Sequence, residues 1–211
     1  DSLLAAGRFW AGVAEVGGVD PGYARSGRLQ PVPDEAARLR AEARAVAAAT
    51  LWRGEATWEV IPSGRAGGWA PASATGLLIR DTLSARLNPA AACAALAAAL
   101  RASGAGVVEG AEEVGAPDAA GPTIWATGAA GLADLSDALG RDVGRGVKGQ
   151  AALLRPARDL HGAEQLYADG LHVVPHADGT VAIGSTTERS YLSADATDGL
   201  LDEVVSRARA A

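Results

Sequence analysis

The stretch from Gln165 to Glu188, QLYADGLHVVPHADGTVAIGSTTE, leaves the backbone fewest alternatives. Leu171-His172-Val173-Val174 and Thr180-Val181-Ala182-Ile183 are β-rich runs joined across His176-Ala177-Asp178-Gly179. Asp-Gly supplies the positive φ angles that a tight connection between twisted strands requires. Residues 171–174 and 180–184 are therefore predicted to pair antiparallel around Asp178-Gly179. Gly184, closing the second run, permits close backbone approach.

Apolar spacing at Leu3, Leu4, Phe9, Trp10 and Val13 predicts a helix over residues 2–16, stopped by Gly17-Gly18. Pro33-Asp34-Glu35 opens a second helix whose apolar residues are Leu39, Val46 and Leu51. Asn88 with Pro89 at the first helical position starts a third helix, and Gly104 stops it. Further helices are expected from about Leu132 to Gly140 and from Ala196 to Ala210. Strands are expected at 28–32, 57–61, 76–80, 150–154, near Val107-Val108 and over 122–126. Helices and strands intermix without steady βαβ alternation, which predicts an α+β fold with a mixed or antiparallel sheet flanked by helices.

A chain of 211 residues can bury a real core as one large or two small domains. Its net charge of −6 and scattered basic residues argue against a nucleic-acid surface. No apolar run approaches the ~18 residues of a membrane span. Cys93, the single cysteine, excludes an intrachain disulfide and a cysteine metal cluster, and its Ala-rich helix suggests a buried, inert thiol.

Several motifs can be set aside. Gly144-Arg145-Gly146-Val147-Lys148-Gly149 matches G-x-G-x-x-G, but it follows a helical run and precedes a strand. A dinucleotide fingerprint needs the reverse order, because the helix N-terminus is its anion site. No G-x-S-x-G elbow and no P-loop are present. His172 and His176 flank Pro175 on a strand, ~13 Å apart, too far to share one metal ion, so no metal site is expected.

Four segments in one order resemble the FAD-dependent amine and amino-acid oxidases of the D-amino-acid oxidase type, glycine oxidase especially. They are Arg86-Leu87-Asn88-Pro89 with the helix to Gly104-Ala105, Thr123-Ile124-Trp125-Ala126-Thr127-Gly128, Val147-Lys148-Gly149-Gln150, and the hairpin VVP-x-x-DG-x-VAIG-x-T-x-E. The resemblance implies two interleaved domains. Residues 1–21 and 88–143 would belong to a Rossmann-like FAD domain, and residues 22–87 and 144–211 to a substrate domain. It implies FAD contacts at Ala126, Thr127 and Gly128, and at Glu113 or Val114 near the adenine. It implies a substrate pocket that includes His172, where relatives often place tyrosine, and Thr187 at the rim. His176 stands where relatives usually have arginine. No catalytic acid–base pair stands out, and Lys148 reads as a solvated lysine in a glycine-rich loop.

The family opens with a strand, a G-x-G-x-x-G fingerprint and a helix that hold the FAD pyrophosphate. This chain shows no such unit and contains no methionine. The expectation is an internal piece of a longer cytoplasmic enzyme that oxidises a small amine or amino acid, with homo-oligomerisation left open. Alone, the piece should be soluble, colourless and inactive. The alternative is a flavin-free binding or interaction domain, which explains the missing fingerprint without truncation.

Overall fold

The computed structural model of the chain describes residues 2–110, 121–122 and 124–211. In chain order the elements are α1 (Ser2–Gly17), β1 (Arg28–Pro31), α2 (Glu35–Leu51), β2 (Trp58–Pro62), a 3-10 helix (Ser63–Trp69), β3 (Leu77–Asp81), α3 (Pro89–Ala102), α4 (Gly128–Leu139), β4 (Ala151–Leu154), β5 (Gln165–Ala168), β6 (Leu171–Pro175), β7 (Val181–Gly184) and α5 (Gly199–Ala210). The strands form one seven-stranded mixed sheet, β2-β3-β1-β5-β6-β7-β4, so the fold is α+β as expected. The β1–β5 pairing is parallel and every other pairing among the described residues antiparallel.

The hairpin forms around Asp178-Gly179, though of the two only Gly179 is left-handed. Val173 pairs with Ile183 and Pro175 with Val181. Gly179 takes a φ of 79°, and the Asp178 carboxylate accepts from the Thr180 N–H at 3.0 Å and its hydroxyl at 2.6 Å. These bonds hold the Asp178 carboxyl below its ordinary pKa, the hydroxyl bond contributing most.

Alternation along the strands separates two faces. One carries Leu29, Ile61, Leu78, Leu166, Leu171, Val173, Val181 and Ile183, closed by Val204 of α5 and by Trp69 from the end of the 3-10 helix. Burying each such aliphatic side chain contributes ~1.5–3 kcal/mol. The opposite face is covered over β1, β2 and β3 by α2, around Val32, Ala41 and Ile79. Across β4, β6 and β7 it stays open: His172 and Ala151 are exposed and Leu153 is 63% exposed.

Asp34 caps α2 by accepting from the Ala37 N–H at 2.7 Å. The buried side of α2 is not its Leu39, Val46, Leu51 set, which is exposed; Ala41 and Ala48 pack instead. Small side chains let the helix lie close, and the Trp58 indole N–H donates to the Ala41 carbonyl at 3.0 Å. Helices α1 and α3 pack on each other just as tightly. A Cβ on Gly17 would lie 2.7 Å from the Ala99 amide nitrogen. Asn88 caps α3 through Ala90 and Ala91, with Pro89 at its first position, and Gly104 follows with φ 83°.

Four expectations need correction. Of the strand expected over 122–126, the described residues 122 and 124–126 form none: Ile124 is 90% exposed and Trp125 is also exposed, and no described strand lies beside them to complete a ladder. Val107-Val108 likewise forms no strand, with Val108 82% exposed. Cys93 is exposed, because the face that α3 buries is that of Ala92 and Ala95. Helix α4 also begins earlier than its apolar pattern indicates, at Gly128, since Gly-Ala-Ala-Gly carries no periodic signal.

Candidate functional site

Register builds a row of side chains across the open face. Tyr167 pairs with His172, His172 with Gly184, and Gly184 with Ala151. Residues directly opposite in antiparallel strands share a face, so all four project to the same side. Gly184 and Ala151 are small because the ladder is tight there: a Cβ on Gly184 would sit 2.8 Å from the Ala151 Cβ. The result is a flat shelf with one polar ring standing at its side.

That ring is His172. Its imidazole lies 4.6 Å from the Tyr167 ring, tilted by 43°, and the Arg28 guanidinium stands 5.8 Å above the same tyrosine. Loss of water around the imidazole, and secondarily the positive charge of Arg28, hold its pKa below the ordinary histidine value. At neutral pH His172 is therefore a neutral hydrogen-bonding group.

Beside this shelf, on the same sheet face, Arg28 and Asp81 sit side by side on β1 and β3, with Arg28 Nε 3.2 Å from the carboxylate. Asp81 is buried and also accepts from the N–H and hydroxyl of Ser84, at 2.6 and 2.9 Å. This pair floors a cleft of about 480 Å³ that Trp52, Trp58, Tyr23 and Leu3 help to line. The Tyr23 hydroxyl is buried without a partner among the described residues. None of these residues stood out in the sequence. The alternation in Arg28-Leu29-Gln30 was the available signal, since it turns Arg28 away from the core that Leu29 enters.

The remaining site expectations separate. Thr187 is exposed and lines a different cleft, of about 410 Å³, with Glu203 and Arg207 of α5; His172 is not among its walls. His176 is buried at the hairpin turn, its Nδ1 without a partner among the described residues. Burial lowers its pKa, opposed by Asp178 and reinforced by Arg86. Lys148 is not solvated: its side chain is 7% exposed and 3.8 Å from Glu188. Glu188 also accepts from the Thr186 hydroxyl at 2.5 Å and from Gln150 Nε2 at 3.0 Å, and these bonds lower its pKa.

Thr127 and Gly128 open α4, with Gly128 at φ 67° and open space where a Cβ would stand. Thr127 makes no side-chain cap, so α4 presents first-turn N–H groups and its positive end there. Ala126 precedes them, exposed. Glu113 and Val114 lie outside the described residues. The G-x-G-x-x-G match at 144–149 lies between α4 and β4, the order that rules out a dinucleotide fingerprint. No described helix is long and apolar enough to cross a membrane.

A family model described as FAD dependent oxidoreductase (DAO) matches residues 2–211. The chain is similar in structure to glycine oxidase from Geobacillus kaustophilus, with TM-score 0.71 and 20% identity over 99% of this chain and 60% of that one. It is similar to glycine oxidase from Bacillus cereus ATCC 14579, with TM-score 0.70 and 16% identity over 99% of this chain and 61% of that one. Iminodiacetate oxidase from Chelativorans sp. BNC1 gives TM-score 0.70 and 21% identity over 96% of this chain and 60% of that one. Likeness at these identities concerns the fold, and the chain spans about 60% of the length of these proteins. No curated protein matches.

Proposed function

This chain belongs to the DAO family of FAD-dependent oxidoreductases, and from that premise we propose that its whole protein oxidises a small amine or amino acid, of the glycine, sarcosine or D-amino-acid kind. The observation that carries this reading is the shelf of Tyr167, His172, Gly184 and Ala151 on a sheet face left open over β4, β6 and β7. A flat surface with one neutral imidazole suits a small substrate held against a planar cofactor. The names of the similar structures, glycine oxidase and iminodiacetate oxidase, point the same way.

The residues present fit part of a FAD site. Gly128 leaves room for close approach, and the uncapped first turn of α4 offers backbone donors, so Ala126, Thr127 and Gly128 are the proposed contacts. Glu113 and Val114 remain proposed contacts for the adenine end. When bound, FAD supplies the electron sink for removing hydride from the amine-bearing carbon, which leaves an imine that hydrolyses. His172 orients the substrate by hydrogen bonding, Tyr167 fixes the imidazole plane, and the small residues of β4 and β7 keep the shelf flat. Thr187 is proposed as a rim residue. Residues 1–21 and 88–143 are assigned to the flavin side, and 22–87 with 144–211 to the substrate side.

The test uses both lengths of chain. The full reading frame, purified, should be yellow and release peroxide or reduce a dye with glycine, sarcosine or D-alanine. The 211-residue chain with FAD should stay colourless after desalting. A full-length protein that neither holds flavin nor oxidises any amine would favour the binding-domain alternative.

A further inference from the structure

The cleft beside the shelf has the make-up of a ligand site in its own right. Its polar feature is Arg28, and Asp81 engages that guanidinium at Nε. The two terminal nitrogens have no partner among the described residues, although the side chain is only 26% exposed. Asp81 is occupied by Arg28 and by both donors of Ser84, so it positions the arginine and does not offer a second acceptor to the cleft. A planar fork with its Nε anchored and its far edge free matches a carboxylate. The walls are apolar: Trp52 and Trp58 stand edge to face with centroids 6.4 Å apart, and Leu3 and Tyr23 join them.

We propose that this cleft binds an aromatic carboxylate, its carboxylate on the free edge of Arg28 and its ring against Trp52 and Trp58. Because Arg28 also overlies Tyr167, the neighbour of His172, a carboxylate held there brings the adjacent carbon to the edge of the shelf. That last step rests on the reading of the shelf as the substrate side; the binding itself does not.

Binding is measured on the flavin-free chain by titrating phenylacetate while following the indole N–H resonances in a ¹⁵N-resolved NMR spectrum. Phenylacetate should shift Trp52 and Trp58 saturably and leave Trp10 and Trp125 in place. Phenylacetamide, lacking the charge, and acetate, lacking the ring, should each bind about tenfold or more weakly. Two variants separate binding from folding. Trp52→Ala removes a wall without touching the ion pair. Arg28→Gln with Asp81→Asn removes both charges together, so that no buried carboxylate is left unpaired. Each should weaken phenylacetate about tenfold, and if the double variant loses its dispersed spectrum, Trp52→Ala decides. Equal binding of phenylacetamide, shifts centred on Trp10 or Trp125, or unchanged affinity in Trp52→Ala would overturn the assignment. No flavin takes part in this titration. Its failure would leave the oxidase reading standing, and failure of the peroxide assay would leave the cleft standing.

Discussion

Gln150 and Asp198, far apart in the chain, bind each other reciprocally. The Gln150 Nε2 group donates to the Asp198 carboxylate at 2.9 Å, and the Asp198 backbone N–H donates to Gln150 Oε1 at 2.9 Å. Asp198 also caps α5 through the Leu200 N–H. One buried amide thus ties the start of β4 to the start of the helix that closes the core.

Replacing that amide should be among the costliest single changes. Gln150→Leu keeps the bulk and removes bonds to two carboxylates. The expected loss is about 2–4 kcal/mol, from hydrogen bonds to charged groups at ~1.5–3 kcal/mol each with partial compensation by water. Urea denaturation midpoints would measure it. A loss below about 1 kcal/mol would mean the network is already well solvated.

Stability should fall on mild acidification because of His176. Its folded-state pKa lies below the ordinary 6.5, so between those two values the unfolded chain binds the proton and the folded chain does not. The contribution is therefore fully present above about pH 6.5 and is lost as pH falls through the folded value. A second decline should follow at lower pH. There Asp178, Glu188 and Asp198, whose pKa values are depressed by hydrogen bonds, become protonated. His172, whose pKa is also lowered, adds to the first decline, so in His176→Gln that decline should shrink to the His172 part while the second remains. Denaturation midpoints between pH 4 and 8 for both proteins would show it.

Gly17 offers a steric test of the α1–α3 contact. Gly17→Ala places a methyl 2.7 Å from the Ala99 nitrogen and 3.1 Å from the Ala95 carbonyl, both backbone atoms that cannot swing away. Overpacking of this kind costs about 1–3 kcal/mol. Gly12→Ala on the same helix meets nothing within 4 Å and should be neutral or stabilising. Thermal melts of the two variants would separate packing from helix propensity.

In the flavin-bearing whole protein, His172→Ala should raise KM about tenfold, the equivalent of one hydrogen bond to substrate at ~1.4 kcal/mol, with little change in the flavin absorbance. Loss of flavin colour instead would make His172 a cofactor contact and not a substrate contact.

What the sequence disclosed was local. The hairpin was legible because Asp178-Gly179 and the flanking β-rich runs need only each other. The caps Asp34 and Asn88 were legible because their signals lie within four residues. The strand expected over 122–126 is not formed by its described residues, because β propensity in Ile124-Trp125 is inert where no described strand lies beside it to bond. Lys148 was misjudged for the opposite reason. Its partner Glu188 comes from beyond β7, brought to it by a backbone bridge that no local window reveals. The cleft was invisible altogether, since Tyr23, Arg28, Trp52, Trp58 and Asp81 meet only once three strands are aligned.

The one parallel contact among the described strands, Arg28 beside Gln165 and Leu29 beside Leu166, joins two antiparallel halves. Each half can assemble from neighbours close in the chain, β1 with β2 and β3 on one side and β4 to β7 on the other. The joint between them can close only after the loop from Asp81 to Gln165 has been gathered in. By loop-closure entropy that joint is the costliest pairing of the described sheet to form, because the chain between its strands carries α3, α4 and β4. Lengthening the loop between α4 and β4 should therefore slow that closure while barely altering the finished sheet.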